Sequence, residues 1–227
     1  DTPSSRGLGD VYKRQADNPL IVDIGSNDGT FLEAASNLTK NILGVDPAKN
    51  LSDSANKKGI KTINDFFSFA VSNEIKNKYG NADFIISTNT FAHTPKINDF
   101  AKGLKNLISD DGVIIIEIHY LGSMINDTSF DTIYHEHFSY WSLENLINLF
   151  TKYGLNIFDA CLMSVHHGQL RIYMSKSKKY KKSKLLNDLL KKEKNENLIG
   201  EKLSLFCKNV LDIKENLLDL FEKISKE

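Results

Sequence analysis

The sequence predicts an α/β fold: an open, mostly parallel sheet with helices packed on it, followed by further helices toward the C-terminus. Three observations carry that prediction. Short apolar runs stop abruptly at Gly, Asp or Asn, as buried parallel strands do where a site opens at their carboxyl ends. Stretches of helical length alternate with those runs. The last two apolar runs are joined by a short turn and not by a helix, a departure from the plain dinucleotide-binding sheet.

The elements follow in order. Residues 20–24 form the first apolar run and stop at Gly25; residues 30–37 read as the helix after it. Residues 41–45 are the second strand, stopping at Asp46, with a helix over 48–58. A short edge strand is expected at 61–63 and a helix at 68–78. The third long apolar run is 82–89, followed by a helix over 97–107, and the fourth is 112–119. An insert follows. After it come a helix over 142–152, for which Ser142 is a suitable N-cap, and two β-like runs at 155–162 and 169–174.

Composition bounds the function. The 29 Lys and Arg residues balance 29 Asp and Glu, so net charge gives no support to nucleic acid or a membrane surface as a partner. A hydrophobic content of 41% is enough for a real core. Cys161 and Cys207 are far apart and suggest no disulfide framework; they read as buried small residues of a reducing compartment. No apolar run reaches membrane-spanning length and no signal-peptide core is present, so a soluble cytoplasmic protein is expected. Residues 1–17 are expected to be non-native or disordered: 1–15 lack periodicity and resemble translated sequencing-adapter sequence.

The first loop, Asp23-Ile24-Gly25-Ser26-Asn27-Asp28-Gly29-Thr30, carries cofactor chemistry. Gly25 permits close backbone approach and Gly29 a tight entry into the helix. Asn27 stands where the second glycine of a dinucleotide fingerprint would be. A pyrophosphate needs bare backbone there, whereas S-adenosylmethionine has no phosphate and tolerates a side chain. Asp46 lies 21 residues beyond Gly25, where a carboxylate can accept both ribose hydroxyls. The competing reading is that the glycines only make a turn and Asp46 only caps the helix after Pro47. Further along, Asp65 is placed to take the adenine amino group and Phe66 to pack on the ring, although core packing explains Phe66 or Phe67 nearly as well. Asn89 ends its strand with its amide toward the site.

The six histidines all fall between residues 92 and 168: His93, His119, His135, His137, His166 and His167. The densest stretch is 130–140, Phe130-Asp131-Thr132-Ile133-Tyr134-His135-Glu136-His137-Phe138-Ser139-Tyr140. Removing a proton near pH 7 calls for a histidine with a partner that orients it, and this stretch supplies both. In extended backbone His135 and His137 point the same way, which makes a metal site a rival; no cysteine lies near and no ligand spacing fits, so no metal is assigned. His119, His135 and His167 are expected to be ordinary satisfied histidines.

Three stretches resemble the S-adenosylmethionine-dependent C-methyltransferases that act on nucleotide-linked 4-keto-deoxysugars. They are residues 22–29 with 44–48, residues 89–93, and residues 130–140 together with 165–173. The resemblance implies a Rossmann-like class I methyltransferase sheet, mostly parallel with the last strand antiparallel, and S-adenosyl-L-methionine as cofactor. Asp23, Gly25, Ser26, Asn27, Gly29, Asp46, Asp65, Phe66 and Asn89 are then its contacts. His137 matches the family's base, which takes the proton on the carbon beside the ketone. Tyr134 would stabilise the enolate oxygen, Glu136 orient a histidine or hold a sugar hydroxyl, and His93 position substrate. His166 and Arg171 would touch the sugar nucleotide. The hairpin departs from the family in having His167 where glycine is usual and Gln169 where serine is usual.

The expected organisation is an S-adenosylmethionine-binding methyltransferase domain over 18–176 and a helical segment over 177–227 leading to a further domain. The family's cysteine-rich zinc module is absent, so the chain reads as the central piece of a longer enzyme. Six lysines between residues 176 and 184 read as a solvated linker. Leu203, Phe206, Val210, Ile213, Leu217, Leu220 and Ile224 form one apolar stripe, expected to pack on the neighbouring domain or, without that domain, to be exposed or to pair with another copy. The oligomeric state is left open. Methylation of oxygen or nitrogen on another small molecule, and a non-catalytic cofactor-binding fragment, are the two alternative functions.

Overall fold

A computed structural model describes residues 18–164 and 168–226. The predicted N-terminal segment 1–17, and His166 and His167, lie outside the described residues.

Seven strands form one sheet: β1 (Ile21–Ile24), β2 (Ile42–Val45), β3 (Thr62–Ile63), β4 (Ala82–Thr88), β5 (Ile108–His119), β6 (Asn156–Met163) and β7 (Gln169–Ser175). Their spatial order is β3-β2-β1-β4-β5-β7-β6, with β3 at one edge as expected. β1 to β5 pair in parallel, and β7 runs antiparallel to both β5 and β6. The predicted class is correct. Parallel neighbours need crossovers, and the helices that supply them are α1 (Thr30–Ala35), α2 (Lys49–Lys57), α3 (Phe69–Tyr79) and α4 (Ile97–Leu107). The insert contributes α5 (Leu121–Asn126), and α6 (Leu143–Thr151), α7 (Lys184–Asn195) and α8 (Leu203–Ile224) complete the chain.

Alternation along the strands separates two cores. Val22, Ile24, Ile85, Ile114, Ile116, Leu170 and Ile172 face α3, α4, α6 and α7. Ile21, Phe84, Ile86, Val113, Ile115 and Tyr173 lie on the opposite face with Leu32, Ala35 and Ala55. α6 starts where Ser142 was expected to cap it: Ser142 Oγ accepts from Asn145 N at 3.2 Å.

Two expectations, for β5 and for the cysteines, need correction, and two others are refined. β5 begins at Ile108 and not at residue 112, because Asp110 and Asp111 break the apolar run without breaking the strand. The lysine segment is exposed at Lys178, Lys179, Lys181, Lys182 and Lys184, as a solvated linker would be, but it is anchored: Lys176 pairs with Asp110 at 3.0 Å, Lys179 with Asp111 at 2.9 Å, and Tyr180 stacks on Phe158. Only the start of the α8 stripe is covered: Phe206 is buried with Leu121, Met124 and Ile125 of α5, while Leu217, Leu220 and Ile224 are exposed. Cys207 is exposed and Cys161 half-buried, so neither is a buried core residue. Among the described residues, no helix is long and apolar enough to cross a membrane.

α7 belongs to the body of the sheet domain. Leu186 and Leu189 are in its main core. Glu193 is buried and accepts from the N–H groups of Leu143 at 2.7 Å and Glu144 at 3.0 Å. A carboxylate there satisfies unpaired donors in the first turn of α6 and complements its dipole.

Candidate active site

The parallel strands end in a row of loops at one edge of the sheet, and these loops build the site. After β1 the chain turns at Gly25, with φ +78°, and at Gly29, with φ +85°. A Cβ on Gly25 would lie 1.9 Å from Thr90 Oγ1, so only glycine lets the loop after β4 rest on the loop after β1. Asp46, at the end of β2, is buried. Its Oδ2 accepts from Asn27 N at 2.8 Å and its Oδ1 from Ala48 N at 2.9 Å. Each oxygen thus braces the backbone and keeps a further lone pair. The turn-making reading of Asp46 is therefore part of its role.

Asp23 is buried below this loop, and its carboxyl is pushed up to about 7, chiefly by burial and then by the nearby charge of Asp46. Ser26 turns its hydroxyl down against Gly44, where it is buried and finds no partner. Its backbone braces the loop: Ser26 N donates to Val45 O at 3.3 Å and Ser26 O accepts from Gly29 N at 3.0 Å. A pocket beside the loop is lined by Ile24, Gly25, Val45, Pro47, Phe66, Phe67, Thr90 and His93. Phe66 is 72% exposed at its rim while Phe67 is buried in the core, which resolves the ambiguity between the two rings. Asp65 is exposed beside Phe66 and accepts the Phe66 N–H at 2.7 Å.

The second half of the site is the insert between β5 and α6. Its ends are closed by Leu121 N donating to Trp141 O at 3.0 Å. Within it, residues 134–137 are a turn, not extended backbone: His137 N donates to Tyr134 O at 3.0 Å. That turn separates the two histidines. His135 is 90% exposed in its side chain, so it is not a satisfied core histidine, whereas His137 is only 9% exposed. The premise of a paired metal site therefore fails. Among the described residues, no group of three or more His, Cys, Asp or Glu is disposed to hold a metal ion.

The turn brings Tyr134 and His137 together. Tyr134 Oη lies 2.9 Å from His137 Nε2, and His137 Nδ1 lies 3.0 Å from Thr132 O. A carbonyl only accepts, so Nδ1 carries the proton and Nε2 is left as the acceptor, taking the Tyr134 hydroxyl. Burial first, with His93 adding to it, holds His137 below the ordinary imidazole range; the Thr132 carbonyl and Glu136 act the other way. The neutral form is the base form.

His93 joins the two halves. Its Nδ1 donates to Glu136 O at 3.0 Å, and its ring centroid is 4.8 Å from that of His137. Glu136 therefore orients a histidine through its carbonyl; its carboxylate is 64% exposed on the rim. Asn89, with φ +55°, accepts from Gln169 Nε2 at 2.5 Å. Arg171 is elsewhere. Its Nε donates to Glu117 Oε1 at 2.7 Å across the β5–β7 pair, and its Nη2 also reaches that oxygen. The guanidinium is committed to the sheet, not presented as a sugar-nucleotide contact. Sequence reasoning missed Thr132, whose carbonyl carries no side-chain signal, and Thr90, Gln169 and Glu193, whose roles depend on long-range packing.

Residues 6–160 match the methyltransferase domain family. The chain belongs to that family. Its cofactor is S-adenosylmethionine. The methyltransferase is similar to C-methyltransferase NovU of Streptomyces niveus, 38% identical over 157 residues, which are 69% of this chain and 37% of that protein. The chain thus spans little more than a third of that relative's length. Among solved structures, the S-adenosylmethionine-dependent methyltransferase of Anabaena variabilis matches with a TM-score of 0.60 at 15% identity, over 76% of this chain and 83% of that one. Magnesium protoporphyrin IX methyltransferase ChlM of Synechocystis PCC 6803, solved with bound S-adenosylhomocysteine, gives 0.57 at 13% identity, over 77% and 81%. At such identities the likeness speaks for the fold alone.

The residues of this methyltransferase domain fit that cofactor. The Gly25 backbone at the pocket wall, the spare lone pairs of Asp46 and the apolar pocket edged by Phe66 suit a nucleoside with a charged amino-acid tail.

Proposed function

We propose that this methyltransferase domain transfers a methyl group to carbon, on the atom beside the ketone of a nucleotide-linked 4-keto-deoxysugar, with His137 as the base. The observation that carries the reading is the His137 hydrogen-bond pattern: Nδ1 fixed on Thr132 O, and Nε2 left as an acceptor 2.9 Å from Tyr134 Oη. S-adenosylmethionine supplies a sulfonium methyl, an electrophile that requires an electron-rich atom. A carbon beside a ketone becomes one only when its proton is removed.

His137 Nε2 accepts that proton, and the C–H electron pair passes into the enolate. Before that transfer the Tyr134 hydroxyl turns from Nε2 toward the ketone oxygen, freeing the lone pair, and from there it donates to the enolate oxygen as it forms. The imidazolium keeps both N–H groups, one of them on Thr132. His93, held by Glu136 O, stands beside His137 as a positioning group for a ring hydroxyl. Gly25, Asn27, Gly29, Asp46, Asp65, Phe66 and Asn89 would hold the cofactor by backbone, carboxylate and ring contact, with Asp23 buried beneath the loop as a charge near its site. The 38% identity to a protein named as a C-methyltransferase supports carbon as the acceptor.

One observation favours a second reading. Nε2 already accepts from a hydroxyl, and a substrate hydroxyl in place of Tyr134 would make the product an O-methyl compound. Incubation of a nucleoside-diphosphate 4-keto-6-deoxyhexose in deuterated water separates the two. Carbon methylation expects His137-dependent deuterium uptake beside the ketone, and no uptake above the blank would overturn it.

A further inference from the structure

Gln169 opens β7 and is 1% exposed, yet only one end of its amide is used. Nε2 donates to Asn89 Oδ1 at 2.5 Å, while Oε1 is buried and has no hydrogen-bond partner among the described residues. If the amide is turned over together with that of Asn89, the same holds: one end grips Asn89 and the other is orphaned. Buried polar atoms are paired in the great majority of cases, so an orphan calls for a reason. The reason lies in what Asn89 begins.

Asn89 is in the left-handed region, φ +55°, which an L side chain adopts only when its surroundings hold it there. Its N–H is held by Glu117 O at 3.0 Å and its side chain by Gln169. The next four residues touch both halves of the site. Thr90 lies on the bare face of Gly25. Ala92 O accepts from Phe138 N at 2.9 Å, and His93 Nδ1 donates to Glu136 O at 3.0 Å. Residues 89–93 are thus a strap between the cofactor loop and the catalytic turn. Gln169 is the side chain that reaches its first residue from β7.

We propose that Gln169 is a positioning residue: by holding the Asn89 amide it seats the strap on Gly25 and on the catalytic turn at the same time, and so couples cofactor binding to the placement of His93 and His137. The coupling to the turn rests on the proposed role of His137; the seating on Gly25 does not. The carboxylate of Gln169→Glu keeps the grip, because the Asn89 amide can rotate to donate to it. Gln169→Met keeps the volume and loses the grip.

The test is calorimetric titration with S-adenosylhomocysteine at a temperature well below each variant's melting point. Gln169→Met is expected to weaken binding about tenfold, the loss of one buried hydrogen bond, and Gln169→Glu to recover most of it. Asn89→Gly removes the same bond from the exposed side, accepts the backbone angle and also removes the proposed contact of Asn89 with the cofactor, so it is expected to lose at least as large a factor. The double variant Gln169→Met/Asn89→Gly should be no weaker than the worse single variant, since both delete one interaction. Binding by Gln169→Met at wild-type strength would overturn the proposal, as would a Gln169→Glu as weak as Gln169→Met, or losses that multiply in the double variant. The titration contains no sugar, so failure of the carbon-methylation reading leaves these results standing.

Discussion

The proposal places the base at His137 because three constraints meet on that ring. The Thr132 carbonyl fixes the tautomer, Tyr134 occupies the free nitrogen, and burial favours the neutral form. Its pKa is depressed below the unfolded value of 6.5. The unfolded chain therefore takes up this proton first as pH falls, and the group's contribution to stability, full above about 6.5, is lost toward the folded value. The same depression should place the acid limb of the deuterium-exchange rate below about 6.5, which a pH profile of exchange measures. Tyr134→Phe keeps the ring packing and loses the donor. It is expected to slow exchange about a hundredfold, in line with loss of one oxyanion donor, with the melting temperature nearly unchanged. Asp23 titrates in the opposite sense. Pushed up to about 7 in the folded protein from 3.8, it favours the folded state when protonated, and that contribution is lost as pH rises to about 7. Asp23→Asn should flatten this part of the melting-temperature profile between pH 4 and 8. On the proposed assignment of Asp23 to the cofactor site, it should also weaken S-adenosylhomocysteine binding at pH 8.

At the scale of elements, legibility followed apolar patterning. β1, β2 and β4 are continuous buried runs with loop residues at their ends, and Gly25, Asp46 and Asn89 stand where those ends predict. The insert was opaque. α5 has six residues and includes a glycine, too short to show a periodicity, and the turn at 134–137 is decided by a backbone hydrogen bond that composition does not encode. Glu193, 50 residues beyond Leu143, was invisible for a similar reason: it caps α6 only because α7 folds back on it. Glu193→Ala leaves those donors buried without a partner and should cost about 2 kcal/mol, read as a lower denaturant midpoint with an unchanged slope. Gly25→Ala meets Thr90 and a positive φ together. It is expected to cost about 2 kcal/mol and to abolish measurable S-adenosylhomocysteine binding in the same titration.

For the whole molecule, the sheet order places the proposed cofactor loops over β1 and β2 and the insert that carries the proposed base beyond β5, with the strap of residues 89–93 crossing between them. Arg171 shows how a residue in a suggestive motif can be claimed by the scaffold: the β5–β7 register sets it opposite Glu117, and that pairing decides its partner. The central claim is that His137 removes a proton from carbon, and it is tested most directly by comparing wild type with His137→Ala. The measurement is deuterium uptake beside the ketone of a nucleoside-diphosphate 4-keto-6-deoxyhexose, without methyl donor, with S-adenosylhomocysteine affinity measured in parallel. The account predicts uptake with wild type, uptake at the enzyme-free rate with His137→Ala, and equal affinity for S-adenosylhomocysteine in both. Uptake by His137→Ala at the wild-type rate would contradict it.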